Sequence, residues 1–324
     1  MKYFHGSAIE QMDSSSPDVS IILVNWNTCA LTLECIESIR KNTTGVSYEI
    51  IVVDNASSDD SVVALKSIPG VHLIANSTNE GFARANNLAM KIAKGKAWLL
   101  LNTDTIILDD VIKACCDLLW SAPSVGMVGC KMLNANLSLQ PSCFKFLKIL
   151  APLLGREALV SRIKRWRQRS PYFAWRYSDA EHLHRLSPDW IMGAFMLIKP
   201  TAASACGLLD ERFFMYAEDM EWCYRFRKNG WHIVYTPDCS IIHLGGSSSS
   251  AVPEDTVRRR VAGLNLFFKI HRPWARRLYL AAELLGLLLV SMVASTVYRR
   301  RFLAQPHLQQ LRSLKIQEIW KVLF

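Results

Sequence analysis

The 324-residue sequence lacks the features that would place it at once in several large classes of protein. Residues 1–17 contain no apolar segment of the kind that a secretory signal needs, and we interpret 1–18 as a polar leader. The nine cysteines are odd in number and show no C-x-x-C spacing, which argues against a disulfide framework and a cysteine-based zinc site. We therefore expect reduced thiols and a main domain that faces the cytosol.

Acidic residues are scarce beside basic ones, with 28 Asp and Glu against 38 Lys and Arg, a formal net charge of +10. Such an excess favours anionic partners. Segment 144–176 concentrates arginine and lysine among aromatic side chains. No nucleic-acid recognition motif accompanies it, so we expect no nucleic-acid partner. Two interpretations stay open for this segment: contact with an anionic membrane surface or a diphosphate-bearing molecule, and a simple solvated loop.

Short apolar runs alternate with helical patterns over the first hundred residues. The runs predicted as strands are 19–24, 48–53, 71–75 and 98–101, and helices are predicted at 31–39, 61–68 and 81–93. This alternation is typical of βαβ units, and it predicts an α/β fold with a mostly parallel, Rossmann-like sheet flanked by helices.

Polar side chains follow successive predicted strands where each strand ends: Asn25, Asp54, and then Asn102 with Asp104. Ligands of open α/β sheets bind at this edge, and a carboxylate there can hold a divalent ion. Taken singly, each of these residues is also an ordinary turn or cap residue.

Two further groups of chemically active residues lie downstream. Glu218 and Asp219 are adjacent acids among aromatic residues, and one of them can act as a general base, unless they merely begin a helix. His243 ends a predicted strand pair at 231–235 and 240–243, where it is either a metal ligand or a structural histidine. Residues 190–198 are predicted to form a strand, and 213–227 to be helical in their second half.

Seven short motifs occur in a fixed order along the chain. They are Val-Ser-Ile-Ile-Leu-Val-Asn-Trp-Asn at 19–27, Val-Val-Asp-Asn-Ala-Ser-Ser-Asp at 52–59, Asn-Glu-Gly-Phe-Ala at 79–83, Leu-Asn-Thr-Asp at 101–104, Gly-Ala-Phe-Met at 193–196, Phe-Met-Tyr-Ala-Glu-Asp-Met-Glu-Trp-Cys at 214–223 and His-Leu-Gly-Gly-Ser at 243–247. As an ordered set, this series resembles the family 2 glycosyltransferases, and within them the bacterial rhamnosyltransferase-like branch. The resemblance spans about residues 19 to 250.

The resemblance implies a GT-A fold and a role for each matching residue. It places Asn25 and Asp54 at the nucleoside, Asn79, Gly81 and Arg84 along the ribose-diphosphate path, and Asn102 and Asp104 at the D-x-D motif. It makes Asp219 the catalytic base, His243 a second metal ligand beside Asp104, and Asp189, Trp190, Gly193 and Glu218 acceptor-side residues. The implied cofactor is Mg²⁺ or Mn²⁺. Asn102 stands where the motif has its first acid, which removes one charge from the metal site.

The implied activity is an inverting, metal-dependent transfer of a sugar, with rhamnose as first choice, from a dTDP- or UDP-sugar to a lipid-linked glycan acceptor in cell-surface polysaccharide biosynthesis. Two alternatives stay open. One is a membrane adaptor that keeps the glycosyltransferase fold with impaired chemistry. The other is a sugar-phosphate nucleotidyltransferase, which would need a Gly-rich, basic loop after the first strand, where this chain has Asn25-Trp26-Asn27-Thr28.

The C-terminal region, 251–324, is expected to form a helical, membrane-associating extension of a catalytic domain at 19–250. Its apolar run, 278–298, carries Glu283 as the only charge and is bracketed by arginines. The run predicts an interfacial helix, a membrane span or a buried core helix. We expect the protein at the cytoplasmic face of the plasma (inner) membrane, either peripheral or held by a single span.

Overall fold

The computed structural model of the chain describes residues 16–149, 175–245, 253–297 and 306–324, together with residue 152. The strands are β1 Val19–Asn25, β2 Tyr48–Asp54, β3 Val71–Ala75, β4 Ala97–Asn102, β5 Thr105–Ile107, β6 Val125–Leu133, β7 Leu139–Gln140, β8 Cys143–Phe144, β9 Trp190–Ile191, β10 Phe195–Ile198 and β11 His232–His243. The helices are α1 Cys29–Asn42, α2 Ser61–Lys66, α3 Gly81–Met90, α4 Val111–Trp120, α5 Pro200–Cys206, α6 Glu218–Lys228, α7 Pro253–His271, α8 Pro273–Val297 and α9 Pro306–Leu323.

A mixed nine-stranded sheet forms the centre of the molecule, in the order β3-β2-β1-β4-β10-β6-β11-β5, with β7 beside β6. Strands β3, β2, β1 and β4 are mutually parallel, as the βαβ pattern predicts. Strand β10 runs antiparallel between β4 and β6, and β6 and β11 are again parallel. The predicted α/β class is therefore confirmed, with antiparallel strands in its second half.

Two apolar layers cover the sheet because successive side chains of a strand face opposite ways. In β1, Ile21 and Leu23 belong to the layer under α1, α2 and α4, whereas Ile22 belongs to the layer under α3, α5 and α6. All three side chains are fully buried. Strand β1 is thus covered on both faces, which explains why its sequence reads as a continuous apolar run.

Several elements differ from the sequence-based expectation. The run 190–198 is two strands, β9 and β10, separated by a turn at Gly193, and β9 pairs with β8 away from the main sheet. The two predicted strands at 231–235 and 240–243 are one long strand, β11, with a register shift between Thr236 and Ser240. Helix α3 ends at Met90 rather than at residue 93.

The C-terminal helices α7, α8 and α9 pack together and share an apolar cluster with the sheet-bearing part of the chain. Phe213 and Met220, next to the acidic pair, pack in this cluster with Phe267, Tyr279 and Ile319 of the three helices. The expected helical extension is therefore present and lies against the catalytic region. No helix in the described ranges is long and apolar enough to cross a membrane.

Candidate functional site

The carboxyl ends of β1, β2 and β4 meet at one edge of the sheet. The strand register sets Asn25 opposite Asp54 and Val24 opposite Asn102. Asn25 Nδ2 donates a hydrogen bond of 2.7 Å to Asp54 Oδ1, and the backbone N–H of Ser57 donates one of 3.0 Å to Asp54 Oδ2. Both side chains are buried. They hold the turn after β2 in place, and the expectation that these residues gather at one edge is confirmed.

Asn55 is a site residue that the sequence reasoning passed over. Its side-chain oxygen accepts bonds from Asn76 Nδ2 and from the backbone N–H of Glu80, and its Nδ2 donates to Asn79 Oδ1. Asn55 is buried and links the ends of β2 and β3 to the start of α3. Its place directly after Asp54 was the available signal, although Asn at that position also reads as a turn former.

Gly81 begins α3 in a conformation that requires glycine. Its φ is +80°, and a Cβ at this position would lie 2.5 Å from the backbone oxygen of Phe214. That same oxygen accepts a 2.7 Å bond from the N–H of Phe82, so α3 is docked on the loop before the acidic pair. Arg84, one turn further, is more than half exposed and pairs with Glu80 at 3.0 Å.

Asp104 and His243 lie side by side where β4 turns into β5 and where β11 ends. Their Oδ1 and Nε2 atoms are 3.4 Å apart, and both side chains are buried. Asn102 Nδ2 is 3.5 Å from the same His243 nitrogen. Asp104 and His243 are 139 positions apart in the sequence. They meet because β5 pairs with β11, which sets His243 opposite Thr105.

Gln140 fixes the orientation of the His243 ring. Its Nε2 donates to Asn134 Oδ1 and to the backbone oxygen of His243, which leaves its Oε1 as an acceptor. His243 Nδ1 lies 2.7 Å from that Oε1 and therefore carries the proton in the neutral ring. The lone pair of Nε2 is then directed at the Asp104 carboxylate, the arrangement in which histidine binds a metal.

The donor set at Asp104 and His243 fits a divalent ion that is shared with a phosphate. Within the described ranges no three His, Cys, Asp or Glu side chains are close enough to hold an ion by themselves. One carboxylate and one imidazole leave most coordination positions to substrate oxygens and water, as is usual for Mg²⁺ at phosphate sites. Asn102 adds an amide in place of a second carboxylate.

The acidic pair begins α6, close to the turn at Gly193. The backbone N–H groups of Gly193 and Met220 donate to Asp219 Oδ2 and Oδ1, at 3.1 and 2.7 Å. Burial nevertheless raises the pKa of Asp219 above its usual range. Burial, and then the charge of Asp219, raise the pKa of Glu218 well above its usual range. Glu218 Oε2 is buried and makes no hydrogen bond within the described part of the chain.

Asp189, Trp190 and Gly193, which the resemblance assigns to the acceptor side, lie on or next to β9. Asp189 Oδ2 accepts a 2.8 Å bond from the N–H of Phe146, and the Trp190 ring stacks on Phe144 with centroids 4.2 Å apart. Gly193 approaches Asp219 closely enough that an added Cβ would lie 3.4 Å from its Cβ. Strand β9 therefore joins these residues to the acidic pair, while Asp189 and Trp190 mainly hold the β8 segment.

The turn before the acidic pair has a strained backbone that α7 supports. Tyr216 and Ala217 have φ values of 72° and 71°, which are uncommon for residues other than glycine. The guanidinium of Arg260 lies 4.8 Å from the Tyr216 ring centre, and a Cβ on Gly263 would lie 2.5 Å from the Tyr216 oxygen. Helix α7 thus packs its backbone against this turn, a contact that the sequence did not predict.

A second link between the C-terminal helices and α6 is an ionic one. Glu221, buried one turn after the acidic pair, accepts hydrogen bonds from Arg225 and contacts His271 Nε2 at 2.9 Å. Burial alone would raise the pKa of Glu221, but the bonds to His271 and Arg225 outweigh it and lower that pKa. The basic segment 144–176, for which anion contact and a solvated loop are both open, falls mostly at 153–174, outside the described residues.

Comparison with known proteins gives the chain its relatives. Residues 20–131 match the model of glycosyl transferase family 2. The chain is 26% identical over 221 residues to the N-acetylglucosaminyl-diphospho-decaprenol L-rhamnosyltransferase of Mycobacterium tuberculosis, covering 63% of this chain and 69% of that one. It is 27% identical over 238 residues to the low-salt glycan biosynthesis hexosyltransferase Agl10 of Haloferax volcanii, covering 70% of this chain and 67% of that protein.

A solved structure supports the fold. The mannosyltransferase of Pyrobaculum calidifontis, in complex with GDP-Man and Mn²⁺, aligns over 96% of this chain and 88% of its own length with a TM-score of 0.57 and 18% identity. The GT-A-like architecture is therefore confirmed, with a mixed sheet flanked by helices.

Proposed function

We propose that this chain, whose residues 20–131 match the model of glycosyl transferase family 2, transfers a sugar, rhamnose as first choice, from a dTDP- or UDP-sugar to a hydroxyl of a lipid-linked glycan in polysaccharide biosynthesis. The observation that carries the proposal is the meeting, at one edge of the sheet, of the Asp104–His243 pair with the end of β1 and the turn after β2. The rhamnose assignment follows the relative from Mycobacterium tuberculosis.

The donor nucleotide binds at the ends of β1 and β2 in this proposal. Asn25 and Asp54 shape the nucleoside pocket from below, because their mutual hydrogen bond fixes the turn at Ala56 and Ser57. Asn79 and Gly81 lie along the ribose-diphosphate path, where Asn55 holds them. Arg84 reaches the diphosphate only by leaving Glu80, an exposed and therefore weak pair.

Asp104 and His243 would hold the Mg²⁺ or Mn²⁺ ion together with the donor diphosphate. When bound, such an ion stabilises the negative charge of the departing nucleoside diphosphate. Gln140 keeps the His243 Nε2 lone pair directed toward the ion. Asn102, at 3.5 Å from that nitrogen, fills the place of a second acid without adding charge.

Asp219 acts as the general base. Its raised pKa makes the ionised carboxylate a stronger proton acceptor than an ordinary aspartate, and this suits the deprotonation of a sugar hydroxyl. The hydroxyl attacks the anomeric carbon from the side opposite the departing diphosphate, so a single displacement inverts that centre. Glu218, Gly193, Asp189 and Trp190 form the acceptor side, where Gly193 holds one oxygen of Asp219.

The acceptor side is proposed to meet the membrane. The relative from Mycobacterium tuberculosis is named for a diphospho-decaprenol substrate. By that analogy we place residues 19–250, the catalytic part, at the cytoplasmic face of the plasma membrane, with residues 251–324 as a peripheral attachment. The +10 net charge agrees with an anionic membrane surface.

The test is a panel of nucleoside-diphosphate sugars offered to the purified protein with Mg²⁺ or Mn²⁺, with release of the nucleoside diphosphate as the readout. We expect release from one donor, and its loss with chelator and in Asp104→Ala. In Asp219→Asn the new amide has nearly the shape of the carboxylate but cannot take up the proton. This variant should bind the donor normally, while transfer to the acceptor falls by about 10²–10⁴-fold.

His184→Ala is the matched control, because this histidine is exposed and lies outside the strands and helices that carry Asp104, Asp219 and His243. Near wild-type transfer by Asp219→Asn would remove it from the role of base. If no nucleoside diphosphate binds in a metal-dependent way, the chain is better explained as an adaptor with impaired chemistry.

A further inference from the structure

Helix α8 carries a continuous apolar face that is open to solvent. The exposed side chains on this face are Trp274, Leu278, Ala281, Leu285, Leu288, Leu289 and Met292. At 100° per residue they fall within an arc of about 100°, and at 1.5 Å per residue they extend over about 27 Å. Apolar area that is contiguous on this scale marks an interaction surface.

The other side of α8 is anchored to the rest of the protein. Tyr279 and Leu280 are buried in the cluster shared with α7, α9 and the catalytic region. Glu283, the only acid of the run, is buried and pairs with Lys315 of α9 at 2.7 Å. The packed side and the ion pair fix the rotation of α8, so the apolar face is presented outward as a rigid strip.

We propose that the outward face of α8 lies on an anionic membrane surface and inserts its apolar side chains at the level of the lipid head groups. A helix with one apolar face and basic residues at its margins has the composition of an interfacial helix. Trp274 stands at the start of the face, and tryptophan favours the membrane–water interface. Arg277 is exposed at the margin of the face, and three arginines, 299–301, follow the helix in sequence.

A second copy of this chain is the competing occupant. It would bring another net charge of +10 and the same Arg277 to the contact, so charge opposes pairing and favours anionic lipid. The proposal rests on the proposed function in one respect only: a lipid-linked acceptor would be met at the membrane surface on which α8 lies. The face itself is argued from burial and charge.

The experiment is co-sedimentation of the full chain with vesicles of phosphatidylcholine, with and without a third of phosphatidylglycerol. We expect binding to the anionic vesicles, weaker binding to the neutral ones, and a loss of about tenfold or more in Leu285→Glu/Leu289→Glu. The control is Val63→Glu/Leu183→Glu, which places two acids at apolar positions elsewhere that are more exposed than Leu285 and Leu289. It should bind as the wild type does.

Wild-type binding by Leu285→Glu/Leu289→Glu, or no vesicle binding by the wild type, would overturn the proposal. Equal binding to both vesicle types would overturn its electrostatic part. A dimer that this double variant converts to monomer, without vesicle binding, would assign the face to a second copy. Donor-dependent release of nucleoside diphosphate, measured without vesicles, should be unchanged in this variant. If neither the wild type nor the variants release nucleoside diphosphate, the proposed function is contradicted. The vesicle-binding result would still decide the role of the α8 face.

Discussion

His243 Nε2 lies 3.4 Å from Asp104 Oδ1, and Gln140, on the other side of the ring, sets the direction of that nitrogen's lone pair. Partners of this kind orient a metal-binding histidine from behind. Nothing in the sequence around Gln140 distinguishes it from an ordinary polar residue of a short strand.

Gln140→Leu should therefore weaken binding of Mn²⁺ in the presence of a nucleoside diphosphate by about 10–100-fold, because the ring loses the acceptor that fixes its tautomer. Gln140→Glu keeps an acceptor at that place and should retain most of the affinity. Electron paramagnetic resonance of Mn²⁺ measures both without turnover. Equal affinities for the two variants would show that Gln140 does not position His243.

The raised pKa of Asp219 predicts where activity is lost in acid. As the proposed base, Asp219 must be ionised to accept a proton, so the rate should rise with pH through its pKa, at a higher pH than an ordinary aspartate would give. Arg260 lowers that pKa by its charge, so Arg260→Gln should move the acidic limb of the rate profile to higher pH.

The control for this shift is Arg258→Gln, since Arg258 is two residues away on α7 and pairs with Glu254 and Asp255. Its profile should match the wild type. The measurement is the pH dependence of sugar transfer at saturating donor. An unmoved limb in Arg260→Gln would separate Arg260 from the base.

Two glycines with nearly the same backbone angle allow the docking of α3 to be tested. Gly81 and Gly70 have φ values of +80° and +74°, but an added Cβ meets the Phe214 backbone at Gly81 and nothing within 4 Å at Gly70. Gly70→Ala should lower the free energy of unfolding by about 1–2 kcal/mol, the cost of the left-handed conformation.

Gly81→Ala should lower the free energy of unfolding by more than Gly70→Ala does, because the loop at Phe214 must also move. Urea unfolding gives both values. The displacement of that loop should in addition reduce sugar transfer in Gly81→Ala. Equal losses of stability in the two variants would mean that the close approach to Phe214 is relieved at no cost.

Because Glu221 is buried and ionised, removing its partner Arg225 should destabilise the protein by an amount that depends on pH. Arg225→Met should lower the free energy of unfolding at neutral pH by about 3–5 kcal/mol, since it removes a partner of a buried carboxylate. The folded pKa of Glu221 is below its unfolded value, so its pairing stabilises the protein above the unfolded pKa and fades as pH falls through the folded one. The difference between Arg225→Met and wild type should shrink accordingly in acid.

Arg185→Met provides the comparison, because Arg185 pairs with Asp238 at 2.6 Å with both side chains exposed. An exposed pair of this kind contributes little to stability, because water and salt screen the two charges. Thermal or urea unfolding at neutral and acidic pH distinguishes the two. A loss in Arg225→Met no greater than in Arg185→Met would contradict the assignment of Glu221 as a buried ion-pair centre.

The first half of the fold could be predicted from local patterns, because β1, α1, β2 and β3 follow one another in sequence and pair with near neighbours. Polar residues at strand ends, such as Asn25 and Asp54, then follow from the parallel arrangement. The second half could not be predicted in this way. Strand β6 was passed over although it lies inside the sheet, and β10 inserts between β4 and β6, both of which precede it by more than sixty residues in the sequence.

The functional site, too, could be predicted from the sequence only in part. Asp104 and His243 were paired through a family resemblance, and the pairing of β5 with β11 supplies the physical reason that the sequence lacks. Asn55, Gln140, Glu221 and His271 act on other site residues through hydrogen bonds across the fold. No local pattern marks such contacts, because they depend on which strands and helices meet.

The cluster that joins Phe213 and Met220 to α7, α8 and α9 has a practical consequence for anyone who handles the protein. A shortened form that ends near residue 250 would leave these apolar side chains in water beside the acidic pair, and Tyr216 would lose its Arg260 contact. The soluble fragment that a boundary in the sequence suggests is therefore a poor starting point for crystallisation or for directed evolution of donor choice. Both call for the whole chain.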